Sequence, residues 1–411
     1  MFSLHTSPLA SLGRTRDAGG MNVYVRELAR ELGRSGIDVD IFTRRSDPNL
    51  PSIQQFAERV RLIHIEAGPV APLPPTELFP YVNEFTCRVG CFARRNQHQY
   101  DVLHTHYWLS AAAALPLARA WDVPHTTMFH TVERLKSQQY GSTRSTSEAA
   151  AIRIEYEGRI ASAVDRITVS TENEGEQLRR LYGLPPGHMA VIPCGVDLSL
   201  FTPATPASRA AARRALALNG QPTLLSVGRL DPIKELDMLL ESLALMQVPA
   251  RLIIIGGNPE GDPELDRLRR HAADLGIADR VRFPGAVPQQ DLRRYYHAAD
   301  AVVVSSRYES FGLVAVEALA SGTPVVSSAA GGLTSIVHEG HNGLLVHWRD
   351  PHAFAGRLDE ILADGALRSR LAANARASVE RFGWEHIGDD VRALYQELTA
   401  DGRHVAACSC F

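Results

Sequence analysis

The stretch TLLSVGRLDPIKELDMLLESLALM, residues 223–246, contains the pattern from which the fold can be deduced. The apolar run over 223–227 predicts a buried strand, and apolar residues at helical spacing over 237–246 predict a helix. The loop GRLDPIK, residues 228–234, joins them. Because a strand, a loop and a covering helix form one repeat of a parallel sheet, this stretch predicts an α/β protein.

The same alternation of short apolar strands and amphipathic helices continues in both directions along the chain. Strands are predicted at 2–5, 39–43, 60–65, 102–106, 126–130, 167–170, 223–227, 251–255, 281–283, 301–305, 324–327 and 343–346. Helices are predicted at 23–34, 237–246, 264–275, 291–298, 312–321 and 384–398. We interpret the polar, Pro- and Ala-rich segment over 202–218 as a linker. The chain therefore divides into domains at 1–195 and 196–383, followed by a last helix and a tail over 384–411.

Length and composition exclude several classes of protein. A chain of 411 residues exceeds what one core usually organises, and 45% apolar residues exclude a disordered chain. A formal charge of −3 does not suggest binding to nucleic acid. The longest apolar runs are too short to span a bilayer and no signal peptide opens the chain, so we expect a cytoplasmic protein. The first predicted strand begins so close to Met1 that we also expect a few native residues to precede it.

Cysteine usage points away from a disulfide scaffold. The chain contains Cys87, Cys91, Cys194, Cys408 and Cys410. Five cysteines are few for this length, and an odd number cannot all pair within one chain. We therefore expect no structural disulfide, and we expect Cys87 and Cys91, four residues apart in a helical stretch, to be buried apolar thiols.

The strongest candidate site lies in the loop over 228–234, directly after a predicted strand. Ligands of open parallel sheets bind beyond the carboxyl ends of the strands, and there Arg229 and Lys234 could neutralise a diphosphate. Lysine is rare in this chain, since only Lys136 and Lys234 occur among 43 basic residues. Either two lysines remain by chance, or position 234 needs a compact ammonium group that a planar guanidinium cannot replace.

Two further segments in the second half place binding groups at strand ends. Gly256 and Gly257 follow a strand and let the backbone approach a ligand closely. Glu309 precedes a predicted helix, and Glu317 lies eight residues later inside it. Both carboxylates could accept hydrogen bonds from sugar hydroxyls, while the amides over 311–313 hold a sugar and a phosphate at the helix start. For an isolated pair, solvated carboxylates on a helix face would be the simpler interpretation, but the upstream cations favour a binding site.

In the first half, candidate residues again follow predicted strands. The pair Gly19-Gly20 precedes a helix, which suits either an anion site or a simple tight turn. The G-x-G-x-x-G pattern is absent here, and this disfavours an NAD-dependent oxidoreductase. His130 ends a central strand and would be mostly uncharged at neutral pH, although a histidine at a strand end is more often structural. Asp38-x-Asp40 matches a metal-binding pattern, but it lies at the opposite end of its strand, so we interpret it as structural.

These elements, in this order and spacing, resemble the retaining glycosyltransferases of family 4, which have the GT-B architecture. The resemblance rests on Gly19-Gly20, on GRLDPIK at 228–234, on the E-x7-E element from Glu309 to Glu317, and on FGWE at 382–385. It implies two Rossmann-like parallel-sheet domains that face a central cleft. It also implies that the C-terminal helix crosses back onto the first domain.

The same resemblance implies roles for individual residues. Arg229 and Lys234 would bind the donor diphosphate and stabilise it as it leaves, without a metal ion. Glu309 would hold the donor sugar, Glu317 would hold the ribose, and His130 would contact the sugar near its reacting face. The donor-binding residues implied in this way are Gly20, Arg229, Lys234, Gly257, Glu309, Phe311, Gly312, Leu313 and Glu317, and the catalytic ones are His130, Arg229, Lys234 and Glu309.

Within the family, the segments over 4–10 and 17–25 look like the inositol-phosphate N-acetylglucosaminyltransferases of mycothiol synthesis. This likeness implies acceptor binding by Asn22, Tyr107, Thr131 and Arg153, the last three at an acceptor phosphate. The tripeptide Arg153-Ile154-Glu155 also resembles sucrose-phosphate synthases. The mycothiol enzymes have a phosphate-binding lysine where the segment over 71–77 has none. Inositol phosphate and a sugar phosphate therefore both remain candidates.

The resulting hypothesis is a metal-independent retaining hexosyltransferase without a cofactor. It would move a hexosyl group from a nucleotide sugar, with a UDP-sugar favoured, to a phosphorylated sugar or polyol. The alternatives are a nucleotide-sugar 2-epimerase, a transferase for a non-phosphorylated glycan or lipid, and a non-catalytic sugar-nucleotide sensor, which an intact His130 disfavours. The expected partners are donor and acceptor, with no nucleic acid and no transmembrane segment, and a homodimer is left open.

Overall fold

The computed structural model describes residues 1–10, 19–140, 147–218, 220–347 and 349–405. The predictions about Cys408 and Cys410 lie outside these residues. Cys87 is exposed and Cys91 half-buried, so the prediction that both are buried was wrong: the buried face of their helix is formed by Val82, Phe85, Val89 and Ala93. Contacts divide the chain into two compact units. Unit 1 comprises residues 1–10, 20–193 and the chain from Trp384, and unit 2 comprises residues 194–383 together with Gly19.

Unit 1 alternates strands and helices as the sequence predicts. Its elements up to residue 193 are α1 (Gly20–Arg34), β1 (Val39–Arg44), β2 (Ile53–Ala57), β3 (Val60–Ile65), α2 (Val82–Arg95), β4 (Leu103–His106), α3 (Trp108–Trp121), β5 (His125–Met128), α4 (Glu133–Tyr140), α5 (Glu148–Ala163), β6 (Arg166–Val169), α6 (Glu172–Tyr182) and β7 (Met189–Val191). Strands β4, β5, β6 and β7 form a parallel sheet in that order. Strand β1 pairs in parallel with β3, and β2 pairs antiparallel on the other side of β3. The sequence did not predict β2, because its residues are exposed or half-buried and lack an apolar face.

The strand predicted over 2–5 was wrong in extent. Only Phe2 makes bridges, one to Phe42 of β1 and one to Thr105 of β4. Its amide donates to the carbonyl oxygen of His104 at 2.9 Å, and its side chain is fully buried. The hydroxyl of Ser3 donates to the carbonyl oxygen of Thr6 at 2.7 Å, which turns the chain soon after the bridge. Residues 1–4 thus link the two groups of strands in unit 1: Phe2 exchanges backbone hydrogen bonds with His104 and His106 of β4, and the backbone of Met1, Ser3 and Leu4 bonds to β1.

Unit 2 contains a parallel sheet whose order identifies its ligand-binding edge. Its elements are α7 (Pro206–Ala215), β8 (Thr223–Val227), α8 (Leu236–Leu245), β9 (Arg251–Ile255), α9 (Pro263–Asp274), β10 (Val281–Gly285), α10 (Gln289–Ala298), β11 (Ala301–Val304), α11 (Leu313–Ala320), β12 (Val325–Ser328), β13 (Gly343–Val346), α12 (Pro351–Ala363) and α13 (Gly365–Ala375). Within the described residues the strand order is β10-β9-β8-β11-β12-β13, with every pairing parallel. This is the order of a doubly wound sheet, in which the winding reverses between β8 and β11. Ligands bind at the carboxyl ends of the strands beside that reversal.

The segment over 202–218 is not a plain linker, because it contains helix α7. Thr205 caps this helix, with its Oγ1 accepting from the amide of Ser208 at 3.1 Å, and Pro206 occupies the first turn. Proline at that position starts a helix, and the alanines that follow are strong helix formers. Arg209 then binds Asp300 at 2.7 Å and fixes α7 to unit 2.

The last helix, α14 (Trp384–Val405), belongs to unit 1, which confirms that the chain returns to its first half. The ring of Trp384 lies 5.8 Å from the ring of Tyr24 in α1. A Cβ atom at Gly388 would lie 2.6 Å from the Cγ atom of Glu31, so glycine permits the close packing of α14 on α1. Among the described helices, none is both long and apolar enough to cross a membrane.

Three histidines on the central strands of unit 1 are almost completely buried. His104 and His106 lie on β4 and His125 on β5, with at most 1% of each residue exposed. The Nδ1 atom of His104 lies 2.8 Å from the hydroxyl of Tyr395 in α14, and His125 Nε2 lies 2.9 Å from the hydroxyl of Thr105. Burial lowers the pKa of His104 and of His125 to about 3, and burial holds the pKa of His106 well below its ordinary value. These histidines therefore contribute to the core as neutral rings.

We expect the free energy of unfolding to fall as the pH drops below about 6.5. The unfolded chain takes up a proton at each of these histidines near pH 6.5, whereas the folded chain does so only near pH 3. Each buried histidine then costs about 1.4 kcal/mol per pH unit in this window. In urea unfolding, the wild type should lose free energy of unfolding between pH 7.5 and 5.5, and His125→Asn should lose about 1.4 kcal/mol less. The matched control is His352→Asn on an exposed position; an unchanged pH dependence in His125→Asn would contradict the assignment.

Candidate active site

The loop after β8 approaches the loop after β9 so closely that glycine is required. The amide of Gly228 donates to the carbonyl oxygen of Ile255 at 2.9 Å. Gly256 has φ +147°, and a Cβ atom there would lie 1.8 Å from the carbonyl oxygen of Gly228. No side chain fits at that distance, so the Gly256-Gly257 pair keeps the two strand ends in direct backbone contact.

Lys234 and Glu309, predicted from distant segments, form an ion pair. A short 3-10 turn over Pro232–Lys234 follows Asp231, whose carboxylate accepts from the amide of Ile233 at 3.0 Å. The Nζ atom of Lys234 then lies 2.5 Å from Oε2 of Glu309, with about a fifth of each side chain exposed. The hydroxyl of Ser305 donates to the carbonyl oxygen of Lys234 at 2.7 Å and fixes the turn to the end of β11.

These residues line a recess at the carboxyl ends of β8, β9 and β11. The lining residues are Ser226, Val227, Gly228, Arg229, Lys234, Leu236, Ile254, Val303, Val304, Ser305, Ser306, Glu309, Gly312 and Val314. Four of them, Arg229, Lys234, Glu309 and Gly312, are predicted site residues. The recess therefore lies where a doubly wound sheet binds ligands, beside the reversal of the strand order.

Glu235 supports Lys234 in a way that the sequence did not reveal. It is a non-glycine residue with φ 51°, in the left-handed region, and its side chain is only 4% exposed. Arg307 donates to its carboxylate at 2.8 Å, and Arg349 binds the same carboxylate at 2.7 Å. Left-handed backbone is unfavourable for glutamate. The two arginines hold Glu235 in this conformation and thereby orient the turn that ends at Lys234.

The glycine pair Gly331-Gly332 is a second feature that the sequence analysis missed. Gly331 has φ +53°, and a Cβ atom there would lie 2.1 Å from the carbonyl oxygen of Glu309. The amide of Gly332 donates to that same oxygen at 2.8 Å. The pair thus supports the backbone of Glu309 from the loop after β12. Its signal, paired glycines after an apolar strand, is the one already used for Gly256-Gly257.

Glu317 lies deeper in unit 2 than the recess. Its carboxylate accepts from the hydroxyl of Tyr296 at 2.7 Å and from the side-chain Nε2 of Gln289 at 2.9 Å. Burial raises the pKa of Glu317, although these hydrogen bonds oppose the shift. Phe311 is also buried, and its ring lies 5.5 Å from that of Phe382. Within the described chain, Gly257, Phe311, Leu313 and Glu317 are predicted site residues that do not line the recess.

In unit 1, Tyr107 and Thr131, two of the residues predicted to bind an acceptor phosphate, both contact the guanidinium group of the third, Arg153. NH1 donates to the hydroxyl of Tyr107 at 3.0 Å, and NH2 donates to the carbonyl oxygen and Oγ1 of Thr131 at 2.6 and 3.0 Å. Nε donates to Glu157 at 2.7 Å, and NH1 lies 3.1 Å from Oε2 of Glu133. Burial alone would lower the pKa of Arg153, but the neighbouring tyrosine and the two carboxylates outweigh burial and raise it. The sequence analysis did not include Glu133 or Glu157.

His130 follows β5 by two residues and adopts left-handed backbone, with φ 58°. Its Nε2 atom lies 3.1 Å from Nδ1 of His106, and its ring contacts that of Tyr24 edge-on at 5.4 Å. Burial lowers the pKa of His130 to about 3, so the ring is neutral and takes part in hydrogen bonds without charge.

The other predicted residues of unit 1 have structural partners. Gly20 begins α1, and the side-chain Nδ2 of the fully buried Asn22 donates to Thr6 Oγ1 at 2.8 Å and to Ser7 O at 2.7 Å. Both oxygens of Asp40 are bound, by Arg61 and by the hydroxyl of Tyr100. Among the residues that the structure describes, no group of three or more His, Cys, Asp or Glu side chains is arranged to hold a metal ion.

Comparison with known proteins places the whole chain in one family. Glycosyltransferase Family 4 matches residues 18–200, and Glycosyl transferases group 1 matches residues 208–378. A D-inositol 3-phosphate glycosyltransferase from Xylanimonas cellulosilytica is 40% identical over 404 residues, covering 97% of this chain and 96% of that protein. A protein of the same name from Acidothermus cellulolyticus is 39% identical over 416 residues, covering 99% and 91%.

A solved structure agrees with this assignment. The sucrose-phosphate synthase of Thermosynechococcus elongatus superposes with a TM-score of 0.88 and 35% identity, covering 97% of this chain and 98% of that one. The predicted architecture is thereby confirmed: the chain belongs to glycosyltransferase family 4 and has the GT-B fold.

Proposed function

We propose that this glycosyltransferase moves a hexosyl group, with retention of configuration, from a nucleotide sugar to a phosphorylated sugar or polyol. A UDP-sugar is the favoured donor. The part of this proposal that concerns the donor rests on one observation: Arg229, Lys234 and Glu309 line the same recess of unit 2. The names of two similar proteins, a D-inositol 3-phosphate glycosyltransferase and a sucrose-phosphate synthase, support a phosphorylated acceptor or product.

In the proposed reaction, unit 2 binds the donor and stabilises its leaving group. The bond between the anomeric carbon and the diphosphate oxygen breaks, and negative charge develops on that oxygen. Lys234 and Arg229 supply positive charge for it, which is the kind of preorganised stabilisation that accelerates group transfer. Glu309, oriented by Lys234 at 2.5 Å, accepts hydrogen bonds from sugar hydroxyls. Residues 196–383 are then the donor-binding domain.

In this proposal, unit 1 binds the acceptor. The acceptor hydroxyl forms the new bond to the anomeric carbon, and its proton passes to the leaving phosphate oxygen, so no protein nucleophile is required. Tyr107, Thr131 and Arg153 bind the acceptor phosphate, and this makes residues 1–195 the acceptor-binding domain. The roles of Gly20 and His130 toward the donor, and of Asn22 toward the acceptor, remain predictions from the resemblance. Catalysis depends mainly on positioning, and no metal ion or cofactor takes part.

The test is nucleotide release from UDP-, ADP- and GDP-sugars, with and without sugar phosphates, inositol phosphate and their dephosphorylated forms, with products identified by mass. Acceptor-dependent release of a new phosphorylated glycoside, undiminished by EDTA and with the anomeric configuration of the donor by NMR, would support the proposal in full. An isomerised nucleotide sugar would replace it by a 2-epimerase, and binding without turnover would replace it by a sensor. Loss of activity with EDTA would refute metal independence.

Lys234→Ala should lower kcat by about 10²- to 10³-fold, because it removes charge from the leaving group. The thermal unfolding midpoint should change little, since the Lys234–Glu309 pair is partly solvated. Lys234→Arg restores the charge but replaces a compact ammonium by a planar group, so it should recover little of the activity. Arg269→Ala, which removes an exposed cation of the same unit, is the control. Wild-type turnover in Lys234→Ala would disprove the assignment.

Thr131→Val should raise the KM of a phosphorylated acceptor about 10-fold or more while the KM of the donor stays constant. Valine preserves the shape and removes a hydroxyl that would bind a charged phosphate, and such hydrogen bonds contribute about 1.5–3 kcal/mol. Arg153→Ala should also weaken the acceptor, but it leaves two buried carboxylates unpaired and is expected to destabilise the fold by about 3–5 kcal/mol. Steady-state kinetics with a dephosphorylated acceptor is the control; an equal effect on both acceptors would contradict a phosphate site at Thr131.

A further inference from the structure

The group of charges around Arg153 contains more acid than base. Glu133 and Glu157 both contact its guanidinium, so the three residues together carry one excess negative charge when ionised. All three guanidinium nitrogens already have partners in this cluster. A phosphate group that bound Arg153 would therefore lie beside a carboxylate and compete with it. This inference rests on the acceptor site proposed above.

The two carboxylates are not equivalent. Glu157 is completely buried, and its oxygens accept from Arg153 Nε, from the amide of Glu133 and from the hydroxyl of Tyr182. Glu157 thus fixes both Arg153 and the start of α4, and removing it would disturb the fold. Glu133 has a side chain that is 11% exposed, and within the described residues the contact of its carboxylate is the one to NH1 of Arg153. Only Glu133 can leave Arg153 without breaking a network of buried hydrogen bonds.

NH1 is also the nitrogen that contacts Tyr107, one of the three residues proposed to bind the acceptor phosphate. The Glu133 carboxylate at 3.1 Å from NH1 therefore has the charge and the distance of an acceptor phosphate oxygen at the same nitrogen. A hydroxyl of an uncharged acceptor would meet no such competition, since it can donate a hydrogen bond to the carboxylate.

We propose that Glu133 is a specificity-determining residue, whose carboxylate occupies the position on Arg153 that an acceptor phosphate takes. A phosphorylated acceptor binds by displacing Glu133, and an uncharged polyol or sugar binds without doing so. Glu133 therefore weakens the binding of phosphorylated acceptors relative to that of their dephosphorylated forms, and this effect depends on its charge and not on its size.

The experiment compares Glu133→Gln, which keeps the shape, with Glu133→Asp, which keeps the charge. KM and kcat are measured at saturating donor for matched acceptors with and without phosphate. Glu133→Gln should lower the KM of the phosphorylated acceptor about 10-fold, leave kcat and the donor KM constant, and barely change the uncharged acceptor. Glu133→Asp should stay close to wild type. Glu155→Gln, on α5 in an exposed ion pair with Arg159, removes the same charge and is the control.

The outcomes separate this inference from the proposed function. If the wild type accepts only uncharged acceptors and Glu133→Gln gains phosphorylated ones, the proposed acceptor class is wrong but the role of Glu133 stands. If Glu133→Gln has the same preference between the two acceptors as wild type, the role of Glu133 is refuted and the proposed function survives. Equal changes with both acceptors would show a structural role and would also refute it.

A binding measurement tests the same point without knowledge of the acceptor. Inorganic phosphate is titrated by calorimetry in the presence of saturating UDP, so that the diphosphate site of unit 2 is filled. Phosphate should bind Glu133→Gln about 10-fold more tightly than wild type and Glu155→Gln. Should Glu133→Gln fail to fold, Glu133→Ala takes its place with the same expectation, and equal phosphate affinity in the variant and wild type would overturn the proposal.

Discussion

A salt bridge 2.5 Å long, from Lys234 Nζ to Glu309 Oε2, joins the first strand-end loop of unit 2 to the segment before α11. The two residues are 75 positions apart in the chain, so this contact exists only once β8 and β11 are neighbours. Its geometry depends on a turn that ends in left-handed backbone at Glu235. That conformation costs about 1–2 kcal/mol for a residue with a Cβ atom. Two arginines on the buried carboxylate of Glu235 offset this cost and orient the turn.

In the Arg153 cluster of unit 1, buried charges are also paired, but acidic groups outnumber basic ones. Charges that leave water must be paired, and here one arginine is paired with two carboxylates, a tyrosine hydroxyl and a threonine. In unit 2 the extra charge is positive, because Arg229 and Lys234 line the recess with a single carboxylate, Glu309. The sign of the excess charge therefore differs between the two groups. A diphosphate suits a cationic recess. A cluster with excess acid opposes the binding of an anionic ligand, and Glu133 is the carboxylate that produces this excess at Arg153.

Much of this architecture could be predicted from the chain, because strands and strand-end glycines are local features. The strands at 60–65, 223–227, 251–255 and 343–346 lie at the predicted residues, since each is a short run rich in apolar residues and is followed by a polar residue or glycine. The meeting of Lys234 with Glu309 was predictable because parallel strands end at the same edge of a sheet. Helix α7 does not follow from composition, because proline is typical both of a linker and of a helix start, where Pro206 lies.

The partners of the buried charges could not be predicted. Spacing of four residues on a helix suggests a pair between Arg153 and Glu157, but it says nothing of Glu133 on another helix. Likewise, no local pattern brings Arg307 and Arg349 to Glu235, which is 72 and 114 residues away. These contacts arise from tertiary packing alone. They also decide which cations are available to a ligand, so the sequence could nominate site residues but could not rank them.

The near-absence of lysine in this chain is related to what its arginines do. Arginines of this chain repeatedly bind several carbonyl oxygens at once, as Arg44 does at Pro69 and Ala71, and as Arg376 does at Leu198 and Phe201. A planar group with five donors suits that task, since it satisfies several backbone acceptors from one position. Lys234 instead makes a single close ion pair at the edge of a recess. An ammonium group has three rotating donors, so Lys234 can keep its contact with Glu309 and also bind an incoming phosphate. Within the described recess, Lys234 thus has a simpler set of contacts than the arginines that bind several backbone carbonyl oxygens at once, and this suits a cation that must also meet a ligand.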